Sequence, residues 1–278
     1  MPADQIAQNL AFINWTVLSG LAVGSAGAVV LGRLGTDATR GYLAFTAFCA
    51  LLFGLLAWAS DAALPAALVG SPVSSEPGWD GPRRAALAVF CGLTALLTIA
   101  MARRRRALLL GVGTVLVGLA VLVLAALSWG GGLAGSVALL VQLMALSAAT
   151  GGVFAAMVLG HWYLVTPKLG ERPLVLFARL LLGVLIAQVV LFGVWLGLGV
   201  GPGAEAWFAG LFGPAALFVW LRLVVGLVFP LVVSWAAVQT ARSRSMESAT
   251  GLLYINVGTI AAGTILAAGL YFGSGILA

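Results

Sequence analysis

Ionisable side chains are almost missing from this 278-residue chain: 8% of its residues are charged, against about 25% in ordinary soluble domains. No water-facing surface can be assembled from so few. The single histidine excludes a haem held between two histidines of the chain itself. The two cysteines, Cys49 and Cys91, both fall inside apolar runs, so buried thiols are expected rather than a framework disulfide or a paired-cysteine metal site. No glycine-rich phosphate loop with its lysine is present, and no two acidic residues share an apolar run or a short loop. A self-contained enzyme is therefore not favoured. Met1 to Asn9 has an Asp and no Lys or Arg, unlike the basic start of a signal peptide, so the first apolar run is expected to remain as a helix.

What the chain has is hydrophobic mass, 62% of its residues. A bilayer core about 30 Å thick takes about 20 apolar residues per helix, and uncharged runs of that kind recur throughout. They predict eight transmembrane spans, near 10–32, 41–64, 85–102, 107–129, 138–165, 174–200, 223–241 and 249–275. The fold class is an all-α integral membrane protein, expected in a bacterial-type inner membrane. Arg33, Arg40, Arg103 to Arg106, Lys168, Arg172, Arg242 and Arg244 all fall in the first, third, fifth and seventh loops. Basic loops stay cytoplasmic, which puts both termini outside. A net charge of +6 dispersed in this way orients helices and does not describe a nucleic-acid surface.

Sliding the chain along itself exposes an internal repeat. Leu18 to Gly32 matches Leu146 to Gly160 at seven of fifteen positions, and VGTVLVG at Val112 to Gly118 lies over VGTIAAG at Val257 to Gly263. Between these, Val89 and Phe90 fall on Val228 and Phe229, and Arg103 and Arg105 on Arg242 and Arg244. The order is conserved along the chain, so residues 1–132 and 133–278 are expected to be two four-helix bundles of like orientation, related by an axis along the membrane normal. In this register Arg222 is the partner of Arg83. That places Arg222 at the edge of the seventh span and makes Glu205 to Leu221 an interfacial or re-entrant segment.

Polar residues are distributed unevenly between the halves. His161, Tyr163, Arg179, Gln239, Tyr254 and Asn256 are all expected at inner-leaflet depth, where the first half has Arg33, Gly35, Phe48, Ala100, Leu109 and Gly111. Hydrogen-bonding groups in lipid must pair, so six at one depth suggest a packed cluster or a ligand pocket in the second bundle. The competing account is an aromatic belt, a snorkelling Arg179 and an Asn256 that glues helices. The first expectation is a membrane-embedded subunit of a larger, redox-linked assembly. It would hold a quinone or lipid-like ligand, with membrane lipids and other membrane or peripheral subunits as partners. The alternatives are a small-molecule transporter and a structural membrane protein without a ligand site.

Overall fold

The computed structural model describes residues 2–103, 107–166 and 169–278. Three of the loop arginines, at 104–106, and Lys168 lie outside the described residues. A short helix, α1 (Pro2–Gln8), precedes α2 (Leu10–Gly35), α3 (Arg40–Ala62), α4 (Asp80–Ala102) and α5 (Leu108–Trp129). Then come α6 (Leu133–Val165), α7 (Arg172–Leu198) and α8 (Ala216–Leu223), which continues through a π-helical turn, Val224–Val228, into α9 (Phe229–Arg242). The last helix is α10 (Met246–Ser274), and among the described residues there is no strand. Eight helical segments are long and apolar enough to cross a membrane, Ala216–Arg242 counting as one. They agree in number and order with the eight expected spans.

Helix is the economical state for such a chain, because away from water every backbone N–H and C=O must find its partner within the segment. The buried hydroxyls conform to the same rule. Thr16, Thr94 and Thr264 each donate back to the carbonyl four residues earlier, at 2.9, 2.6 and 2.9 Å. Glycines end the helices where the chain must turn: Gly199 and Gly275 sit in the left-handed region after α7 and α10. Large apolar side chains such as Leu109, 88% exposed, together with Leu116 and Val190, cover the outer faces, a surface suited to lipid.

In the first half α2 packs on α3, α3 on α4, α4 on α5, and α5 returns to α2. In the second, α6 packs on α7, α7 on α9, α9 on α10, and α10 returns to α6. The halves meet mainly along α2 and α6, flanked by contacts of α5 with α6 and of α10 with α2. At that crossing the two backbones touch. A Cβ on Gly24 would stand 1.9 Å from the Ser147 carbonyl oxygen, and one on Gly151 would stand 2.3 Å from the Gly24 carbonyl carbon. Only glycine permits so close an approach.

The start of the seventh span departs from the sequence expectation. Residues 216–221 are helical and belong to the same 27-residue segment as α9, so Glu205 to Leu221 is not one interfacial or re-entrant piece. Only 199–215 is loop. It contains a 3-10 turn, Ala209–Leu211, and two non-glycine residues with positive φ, Trp207 and Phe208. Arg222 concealed the continuity, since a charge inside an apolar run reads as a boundary. The π-helical turn falls just before Pro230, which has no N–H to donate to the Gly226 carbonyl, its α-helical partner.

Candidate functional site

The six residues singled out from the sequence do not share one cavity. His161 on α6 and Tyr254 on α10 come together, 3.4 Å between Nδ1 and the hydroxyl, and both are exposed. Tyr163 is buried and donates to the carbonyl of Gly170, bordering a cavity of about 810 Å³ with Glu171 and Arg244. Arg179 and Gln239 are exposed, on α7 and α9. Asn256 is fully buried; its Nδ2 donates to Ser234 Oγ at 2.7 Å and to the Pro230 carbonyl at 3.3 Å, and its Oδ1 has no partner among the described residues. Asn256 thus ties α10 to α9 beside the proline rather than joining His161.

Two arginines missed as buried groups stand at the opposite end of the helices. Arg83 on α4 and Arg222 on α8 are 1% and 2% exposed. The expectation of Arg222 at the edge of the seventh span is therefore corrected: it lies six residues after the start of that helical segment and is buried. Arg83 donates from Nε to Asp61 Oδ2 at 2.7 Å and from Nη1 to Ser128 Oγ and Asp80 Oδ1, with its guanidinium 4.5 Å from the Trp129 ring centroid. Arg222 donates to Gln188 Oε1 at 2.7 Å, to the Gly226 carbonyl at 3.2 Å and to the main-chain oxygen of Ala278 at 3.3 Å. Gln142 and Gln188 extend that network, donating to the main-chain oxygens of Ala278 and Ala145, while Trp195 donates to Gln142. Each arginine makes three hydrogen bonds within the protein, as a buried charge requires. They hold helices together, and Arg83 also borders a cavity of about 180 Å³ with Asp61, Asp80 and Arg84.

Open space with an apolar lining lies elsewhere. An apolar groove of about 280 Å³ is lined by α2, α5, α6 and α7, so that both halves contribute walls. Its floor includes Gly27 and Gly152, where an added Cβ would meet nothing within 4 Å, and its rim carries exposed Leu31, Met144 and Leu180. Ser147 is the lone polar side chain in its lining. Near the basic end, a second cavity of about 380 Å³ is bounded by Gly35, Leu176, Arg172, Arg179 and Arg242, with Glu171 at its edge. Glu171 is already engaged by an ion pair with exposed Arg244, whose pKa it holds above the ordinary guanidinium value by hydrogen bonding and charge attraction. Arg172 and Arg242 were legible as topogenic charges, but nothing in their spacing shows that they share a cavity with Arg179.

Comparison with protein-family profiles, with curated proteins and with solved structures finds no match to this chain. Function must therefore be argued from these cavities and clusters.

Proposed function

We propose that this chain is a polytopic membrane protein, built from a duplicated four-helix unit, that holds an amphiphilic, lipid-like molecule in the groove between its units. It does so as the membrane-embedded part of a larger assembly. The observation that carries the reading is the groove itself: apolar, walled by helices of both halves, and kept open by glycines with free space above them. Cavities of this size and lining are suited to apolar ligands. Duplication is supported by the two closed rings of helix contacts and by loops 63–79 and 199–215, which fall at corresponding places and are equal in length. It is supported again by Arg83 and Arg222, partners in the sequence repeat, each tying the third helix of its unit to the second and to the end of the fourth.

The test is an inventory of lipids retained after purification in mild detergent, read by mass spectrometry. Wild-type protein is expected to retain a defined amphiphile that Gly27→Leu, whose Cβ meets nothing within 4 Å and whose side chain enters the groove, releases. Identical inventories from the two proteins would remove the reading.

A second reading, a quinone-linked subunit, is favoured by one contact, that of His161 with Tyr254 on the outer face of α6 and α10. A histidine and a phenol together can hydrogen-bond a quinone carbonyl and pass its proton. Quinone that co-purifies with wild type but not with His161→Ala would support it. Equal quinone content in both would oppose it.

A further inference from the structure

This inference rests on the amphiphile reading and gives that molecule its head group. We propose that the cavity bounded by Arg172, Arg179 and Arg242 binds the phosphate of an anionic phospholipid whose acyl chain runs into the apolar groove. Three guanidinium groups from two helices, α7 and α9, border a space of about 380 Å³. Among the described residues none of the three has a carboxylate partner, and the one acidic side chain at the cavity is held by Arg244. The site is therefore strongly cationic, and a phosphate diester is the complementary group that a membrane supplies in quantity.

The position of Arg179 distinguishes this cluster from a simple rim of surface charge. It lies seven residues beyond Arg172 on α7, about 10 Å along the helix axis. A guanidinium that far into an apolar span is costly unless an anion reaches it or it snorkels to one. The groove supplies the tail's path. Leu31 on its rim is one turn before Gly35 in the wall of the basic cavity, and Leu180 is one turn after Leu176. Gly35 and Leu176 face each other, an ideal Cβ on the glycine standing 3.1 Å from Leu176 Cδ2. The apolar and basic cavities therefore follow one another along the same two helices, in the order head at the basic end and chain toward the middle of the bundle.

The experiment uses the full chain in neutral detergent, with dioleoyl phosphatidylglycerol, dioleoyl phosphatidylcholine and glycerol 3-phosphate as probes, and reads retained ligand by native mass spectrometry. Wild type is expected to prefer phosphatidylglycerol over phosphatidylcholine by roughly 100-fold, the scale of three basic side chains near a lipid phosphate. The triple variant R172Q/R179Q/R242Q should lose that preference, while R172K/R179K/R242K should keep most of it, with unchanged elution on size exclusion in both cases. Preference retained in the triple glutamine variant overturns the phosphate site, whatever Gly27→Leu does. Binding of glycerol 3-phosphate as tight as that of phosphatidylglycerol overturns it as well, since the site would then take a soluble phosphate. Preference lost in the triple variant with lipid still retained by Gly27→Leu keeps the phosphate site and removes the groove.

Discussion

Arg222 donates a hydrogen bond from Nη1 to the carbonyl oxygen of Gly226, 3.2 Å away, the carbonyl whose α-helical donor would be the N–H that Pro230 lacks. The arginine thus repairs the irregularity that the proline introduces, and does so from one turn upstream on the same helix. Room for it is made by Gly226 and Gly263, whose Cα atoms approach so closely that a Cβ on either would lie 2.6 Å from the other's Cα.

Arg222→Met should therefore be costly, because it strands Gln188 Oε1 and the Gly226 carbonyl and leaves the Ala278 main-chain oxygen to Gln142 alone. A loss of about 3 kcal/mol is expected for breaking a buried charged network. Pro230→Ala restores a backbone donor, so in that background the same substitution should cost less, by roughly 1 kcal/mol, the worth of a typical intramolecular hydrogen bond. Unfolding in mixed micelles measures the coupling. Strict additivity would mean that the arginine and the proline act independently.

Asp61 and Arg83 form a fully buried ion pair, with Asp80 a half-exposed second carboxylate. Removing Asp61 alone leaves the guanidinium between Trp15 and Trp129 without its main counter-ion. Asp61→Ala should cost about 3–5 kcal/mol, and the double variant D61A/R83M should recover a large part of it. Asp80→Ala should cost under about 1 kcal/mol, as exposed pairs do. A double variant as unstable as the single one would show that Arg83 is needed for its packing against the tryptophans rather than for its pair.

Span number, span order and most boundaries were legible because apolar runs of bilayer length have no other stable use. The repeat register set Arg83 against Arg222, but it gave no sign that both are buried. A lone arginine reads as an interface marker until its acceptors are known. Here those acceptors are Asp61, Ser128, Gln188 and main-chain oxygens scattered along the chain. The candidate site fared differently. Equal depth suggested that six polar residues belong together, yet depth fixes only one coordinate, and azimuth around each helix separated Gln239 and Arg179 from His161 and Tyr254. The groove left almost no polar trace, Ser147 apart, and glycines that line a cavity look in sequence like glycines that pack helices.

The basic residues in the first, third, fifth and seventh loops predict a topology with both termini outside. A reporter fused after Ala278 should read as extracytoplasmic, and one inserted in the Arg103 to Arg106 run as cytoplasmic. The reverse pattern would move the arginine cavity and the His161–Tyr254 pair to the outer leaflet, where an anionic phospholipid is no longer the expected occupant.

Gly24 and Gly27 are three residues apart on α2 and should respond oppositely to the same substitution. At Gly24 a methyl group would meet the Ser147 carbonyl oxygen at 1.9 Å, and a backbone atom cannot rotate away. The two halves would have to separate, so Gly24→Ala should destabilise by about 1–3 kcal/mol, the usual range for overpacking. Gly151→Ala, on the other face of the crossing, should do the same. At Gly27 the methyl enters the open groove and meets nothing within 4 Å. Gly27→Ala should be neutral or stabilising by up to about 1 kcal/mol, the helix-propensity difference between the two residues. Thermal unfolding of the three single variants in one detergent makes the comparison. If Gly24→Ala and Gly27→Ala behaved alike, the backbone contact between α2 and α6 would not be what joins the halves, and the groove that depends on that crossing would lose its frame.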